Sequence, residues 1–162
     1  MSKIRISGGS ACGQIISKVP DKVRPTPARL RRAFFEILGD ISGLCFIDLF
    51  AGSGTMGMEA MSRGAEPIIF VELVHKNCRI IQQNIGELNF DQGKWQIVRA
   101  DAIVWLRNFE PETETILFAS PPYIENLLPK VLAEFEKFAQ KFRGSTITVV
   151  QFPKRNLPDK FE

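Results

Sequence analysis

Four short stretches carry the side chains best suited to chemistry: "IDLFAGSGTMG" at 47–57, "FVE" ending at Glu72, "RADA" at 99–102 and "SPPY" at 120–123. In the first, Gly52, Gly54 and Gly57 have the G-x-G-x-x-G spacing of a turn that carries a strand into a helix beside a bound nucleotide. Asp48 precedes the first glycine. A carboxylate there repels a pyrophosphate at the helix N-terminus and attracts a ligand with an ammonium and a sulfonium, of which S-adenosylmethionine is the example. Glu72 is placed to accept the ribose hydroxyls, as an acid at the end of the second strand does in adenosine-binding α/β sheets. Asp101 has two readings, an acceptor for the adenine amine and an N-cap for the helix after it, and one carboxylate can do both.

In the fourth stretch an apolar run, 116–119, ends in Ser120-Pro121-Pro122-Tyr123. Two prolines hold an extended corner without N–H groups, so the Ser120 and Pro121 carbonyls face outward as acceptors, and Tyr123 adds a flat face for a base. That set suits an amine-bearing planar group. Methyl transfer to such an amine is an in-line displacement that depends mainly on alignment, so it requires neither a covalent nucleophile nor a histidine base. His75, the only histidine, starts a helix and reads as a surface residue.

These residues need a sheet whose strands all end on one edge. From residue 45 onward the pattern alternates strand and helix, with strands at 45–50, 67–72, 95–100, 115–119 and 146–152 and helices at 53–64, 75–88, 102–109 and 126–142. The strands are nearly continuous apolar runs, as in a parallel sheet covered on both faces. The fold class is therefore α/β, a doubly wound, mostly parallel, Rossmann-like sheet, and the C-terminal strand ends should line the ligand crevice. Before it, 4–7 and 14–19 flank a glycine-rich turn and read as a small hairpin. Thr26-Pro27 then reads as the N-cap and first residue of a helix that buries Leu30, Phe34, Ile37 and Leu38 and stops at Gly39. Phe35 is read as core with Phe34.

At 162 residues and 44% hydrophobic content the chain can bury about 70% of its unfolded surface in one core, which points to a single domain over 1–162. Within it, 1–40 form a basic hairpin and helix and 41–162 the cofactor-binding body. Residues 1–38 carry eight basic side chains against Asp21 and Glu36, although the whole chain is only +3, so the body is slightly acidic. A basic segment on an acidic body suggests a polyanion as partner. Cys12, Cys45 and Cys78 are odd in number and lack metal-ligand spacing, which argues for free thiols and no metal. No apolar run approaches about 18 residues, and the start has no signal-peptide pattern, so a cytoplasmic, non-membrane protein is expected, and a monomer is the expected state.

Taken together, RPTPARLRRAFFEIL, DLFAGSGTMGMEAMSRGA, FVE, ADA and SPPY resemble the bacterial 16S ribosomal RNA guanine-N2 methyltransferases of the RsmD type, over residues 1 to about 151. The resemblance implies a class I S-adenosylmethionine-dependent methyltransferase acting on the exocyclic amine of a guanine in small-subunit RNA, free or in an assembling 30S particle. By position it implies that Asp48, Phe50, Gly52 and Gly54 hold the methionine part of the donor within a loop that includes Ala51 and Ser53, that Glu72 holds the ribose, and that Asp101 and Ala102 meet the adenine. It also implies a catalytic corner of Ser120, Pro121, Pro122 and Tyr123, with Arg24, Thr26, Arg29, Arg31 and Arg32 gripping the RNA. Where the family has Asp or Asn, this chain has Ser120, a neutral and shorter acceptor that polarises the target amine less. Two other readings compete: an adenine-N6 methyltransferase, since the same corner serves either base, and a non-catalytic RNA-binding or assembly factor with a degenerate site. An NAD-dependent oxidoreductase is opposed by Asp48 and by the lack of room for a substrate domain.

Overall fold

Each core strand alternates its side chains between two apolar layers, as the period of two requires. The structure, a computed structural model, describes residues 4–21, 23–122, 124, 126–142 and 146–151. A hairpin of β1 (Ile4–Arg5) and β2 (Ile15–Ile16) leads to α1 (Ala28–Leu38). There follow β3 (Cys45–Leu49), α2 (Thr55–Ser62), β4 (Ile68–Glu72), α3 (His75–Glu87), β5 (Trp95–Arg99), α4 (Ala102–Asn108), β6 (Thr115–Ala119), α5 (Leu127–Lys141) and β7 (Thr146–Val150).

The last five strands form one parallel sheet in the order β5-β4-β3-β6-β7. On one face Phe46, Ile68, Phe70, Ile116 and Phe118 pack with Phe35 of α1, the methionines of α2 and Ile81 and Ile85 of α3. On the other, Ile47, Leu49, Val71, Leu117 and Ala119 pack with Leu106 of α4 and Val131, Phe135 and Phe138 of α5. The chain winds outward from β3 through β5, then returns to place β6 on β3's free side. That reversal opens a crevice at the carboxyl ends of β3 and β6, where ligands of open α/β sheets bind. No helix among the described residues is long and apolar enough to cross a membrane.

The expected helix at 27–38 is present and ends at Gly39, whose φ of 72° makes the left-handed turn. Its buried face differs from the expected one. Arg31 and Phe35 are buried and Phe34 and Leu38 half-buried, whereas Leu30 is 51% and Ile37 85% exposed. The helix is rotated by about one position because Arg31 has an internal partner. Glu59, in the middle of α2 and fully buried, faces the Arg31 Nε at 3.5 Å, and the Arg31 guanidinium donates to the Thr26 and Arg5 carbonyls at 2.8 and 2.6 Å. Glu59 also accepts from the Ser7 N–H and hydroxyl and pairs with Arg63 at 3.1 Å. One carboxylate thus fastens the hairpin and α1 to the body. Burial pulls the Arg31 guanidinium below its ordinary range, an effect Glu59 opposes.

Candidate active site

The parallel register brings the candidate residues into one row. Leu49 pairs with Val71 and Ala119, Glu72 with Arg99, and Ala119 with Val150. One step beyond the Leu49 level lie Glu72, Phe50, Ser120 and Gln151, on four adjacent strands about 4.8 Å apart. Backbone bonds extend the ladder into this row: Ser120 N–H to the Leu49 carbonyl at 3.5 Å and Gln151 N–H to the Ala119 carbonyl at 2.8 Å.

The glycine loop bends sharply out of β3. Phe50 has φ 58°, a left-handed conformation rarely adopted by a bulky side chain and concentrated at functional sites. Gly54, at φ 72°, is the N-cap of α2, and a Cβ on Gly57 would collide with the Phe70 ring. The first of these glycines keeps the turn; the second lets α2 lie on β4. Ser53 is buried with its hydroxyl on that of Thr55 at 2.5 Å, and Ala51 N–H bonds to the Val71 carbonyl at 3.1 Å.

Two carboxylates occupy the N–H groups a phosphate would need. Gly57 N–H donates to Asp48 Oδ2 at 3.0 Å, and Gly52 N–H donates to Glu72 Oε2 at 2.7 Å. A third N–H, from Val74, donates to Glu72 Oε1 at 2.8 Å. Asp48 lies beneath the loop and is only 2% exposed, so a ligand above the loop would meet its charge rather than its surface. Burial pushes its carboxyl up to about 8, with repulsion from Glu72 adding to the rise and the Gly57 bond opposing it. A cation arriving above the loop stabilises the ionised form; an anion opposes it.

Asp101 is the N-cap of α4: its Oδ1 accepts from Ile103 N–H and Val104 N–H, each at 2.9 Å. The capping role read from the sequence is therefore present, and the exposed carboxylate retains a second oxygen. Ala102, the first residue of α4, is buried. At the corner after β6, Ser120 is half-buried and Pro121 buried, and the Pro122 carbonyl accepts from Ile124 N–H at 2.8 Å. Tyr123 lies outside the described residues.

Two of the expected RNA contacts are corrected. Arg31, 2% exposed and paired with Glu59, is not presented to any phosphate, whereas Arg24, Arg29 and Arg32 are exposed. Thr26 is neither a helix cap nor open to RNA. Pro27 is the N-cap, and the buried Thr26 hydroxyl turns inward to donate to Gln151 Oε1 at 2.9 Å. Gln151 was missed because that bond joins residues 125 positions apart. Glu59 was missed because a lone acid on a helix ordinarily faces solvent. Among the described residues no group of three or more His, Cys, Asp or Glu could hold a metal ion, and all three cysteines are free. A cavity of about 400 Å³ opens between Ser10, Arg63, Glu66 and Lys94, away from this row.

A family model described as conserved hypothetical protein 95 matches residues 4–161. The chain belongs to this family. It is 33% identical over 159 residues to ribosomal RNA small subunit methyltransferase D of Buchnera aphidicola from Acyrthosiphon pisum, covering 96% of this chain and 82% of that one. The protein of the same name from Escherichia coli K12 is 31% identical over 134 residues, 80% of this chain and 65% of that one. In structure, a hypothetical protein from Thermus thermophilus superposes with a TM-score of 0.79 at 32% identity, covering 96% and 90% of the two chains. The resemblance carried by the motifs is borne out, and the fold is that of a class I methyltransferase.

Proposed function

We propose that this protein transfers a methyl group from S-adenosylmethionine to the exocyclic N2 amine of a guanine in small-subunit ribosomal RNA. The observation that carries this reading is the pair of carboxylates beneath and beside the glycine loop. With Asp48 on Gly57 N–H and Glu72 on Gly52 N–H, the loop is prepared for a cationic nucleoside and not for a pyrophosphate. The relatives' names supply the substrate class.

S-adenosylmethionine, when bound, supplies an activated methyl group on a sulfonium. The chain's residues bind and align. Asp48 provides the negative field, Glu72 has lone pairs left for ribose hydroxyls, and Asp101, with one oxygen engaged by α4, offers the other to the adenine amine. Ser120 sits two strands from Glu72, about 10 Å across the sheet. Its hydroxyl and the Pro121 carbonyl accept from the target amine, which draws the amine hydrogens out of the ring plane and exposes the nitrogen lone pair. The proton leaves to water after transfer. The base must be unstacked to enter the crevice, so a loop or bulge is favoured over a duplex, with Arg24, Arg29 and Arg32 on flanking phosphates.

The test is incorporation of labelled methyl from S-adenosylmethionine into small-subunit particles from cells lacking the protein, followed by nucleoside analysis. Label in N2-methylguanosine is expected. Label in N6-methyladenosine would move the assignment to adenine, and donor binding without transfer to any RNA would favour the assembly factor.

A further inference from the structure

We infer that Gln151, held by Thr26, selects the target base by donating to the O6 carbonyl of a guanine, and so disfavours a purine with an amine at that position. The inference rests on the guanine-N2 reading above and specifies which groups make the choice. The last paired residues of β6 and β7 are Ala119 and Val150, so Ser120 and Gln151 follow side by side on adjacent strands. Ala119 and Val150 pack on the α4–α5 face, whereas Phe118 and Val149 pack on the α1 face. By the pleat, Ser120 and Gln151 both turn to the α1 face, and the Thr26 bond places the Gln151 side chain there.

The chemistry of the pair follows from what is already engaged. The Thr26 hydroxyl donates to Gln151 Oε1 at 2.9 Å, which leaves the two Nε2 hydrogens of the amide without a partner among the described residues. Thr26 is itself fixed, since its carbonyl accepts from Arg31 at 2.8 Å. The carboxyl edge of the sheet thus presents a hydroxyl acceptor at Ser120 and an amide donor at Gln151 on adjacent strands, whose backbones run about 4.8 Å apart. Guanine's pairing edge carries the chemical complement, the N2 amine and the O6 carbonyl on either side of N1. A purine that keeps the N2 amine but carries an amine in place of O6 would set donor against donor. A site built to hydrogen-bond a substrate group rejects the analogue lacking it more strongly than an apolar pocket does. Thr26 is a positioning residue here: it holds the amide oxygen, so that the nitrogen faces the base.

The decisive experiment replaces O6 by an amine while keeping the N2 amine. The guanosine that takes the label in the particle assay is replaced by 2,6-diaminopurine riboside through splinted ligation, which keeps the N2 amine, turns O6 into a donor and removes the N1 hydrogen, so the Gln151 variants below assign the effect to O6. The parent protein is expected to lose about tenfold or more in kcat/KM on the substituted RNA. Gln151→Glu keeps an acceptor for Thr26 but presents a carboxylate, so it should invert the preference toward diaminopurine. Gln151→Ala should abolish the preference, Thr26→Val should weaken it, and Thr26→Ser should retain it. Parent-like preference in both Gln151 variants overturns the inference while leaving the guanine reading intact. Absence of transfer to guanine by the parent overturns both.

Discussion

Asp48 should make donor binding steeply dependent on pH. Its carboxyl is buried beneath the glycine loop, and burial together with the neighbouring Glu72 raises it to about 8. At pH 7 roughly nine molecules in ten therefore carry it protonated, and a cationic ligand must shift that equilibrium before it gains the full attraction. Each pH unit below 8 then weakens binding by up to about 1.4 kcal/mol, or tenfold, so affinity should rise up to about 30-fold between pH 6 and 7.5. That window lies below the titration of the donor's own amine at about 7.7–8.0. Calorimetric titration with S-adenosylmethionine in two buffers of different ionisation heat should show release of close to one proton at pH 7. Asp48→Asn should bind with nearly constant affinity across the window. The same group predicts a trend in the ligand-free protein. A carboxyl raised from 3.8 to about 8 holds more protons folded than unfolded over that range, so its contribution to stability is greatest at low pH and declines as pH rises. Denaturation midpoints at pH 5 and 7.5 should converge in Asp48→Asn relative to the parent. A parent slope retained in Asp48→Asn, or proton release near zero, would refute the reasoning.

Arg29→Ala with Arg32→Ala should flatten the salt dependence of RNA binding by up to about two units of slope and leave donor affinity intact, whereas an unchanged slope would remove both from the interface. Glu59→Gln leaves the buried Arg31 charge uncompensated and should lower unfolding free energy by about 3–5 kcal/mol in denaturant titration; a loss under about 1 kcal/mol would mean water reaches the guanidinium. Ser120→Ala should slow single-turnover methyl transfer by about 0.5–1.5 kcal/mol with donor affinity unchanged, and Ser120→Asp should speed it; equal rates in all three forms would remove residue 120 from the mechanism.

The strands and helices of the α/β body were legible because their signals are local. Strands such as Thr115–Ala119 are apolar nearly throughout because both faces are covered, and the glycine loop requires residue types that few other turns need. The N-terminal segment was read less well for one physical reason. Its side chains satisfy partners far away in sequence, and hydropathy ranks a residue by type and not by partner. Arg31 counts as solvent-seeking by type, yet Glu59 and two carbonyls make burial acceptable, and α1 rotates to suit, leaving Ile37 outside. Thr26 beside Pro27 carries every mark of a cap, but its hydroxyl finds an amide just past the last strand instead.

Those two long-range contacts are joined by the bond from Arg31 to the Thr26 carbonyl, which would link the proposed base recognition to the body of the protein. Arg31 donates to the Thr26 carbonyl while its charge rests on Glu59, and the Thr26 hydroxyl reaches Gln151 beside Ser120. Arg29 and Arg32, exposed arginines of the same helix, flank Arg31 in sequence. An RNA phosphate drawn to them would therefore load a helix whose inner side is braced against α2 by Glu59 and whose N-terminal flank, at Thr26, holds the base-selecting amide. On this reading, rigid seating of α1 would be a condition for placing the base as well as for binding the RNA backbone. A conservative loss at Glu59 should then reduce kcat/KM for RNA more than it reduces donor affinity, since the glycine loop keeps its own carboxylates, Asp48 and Glu72.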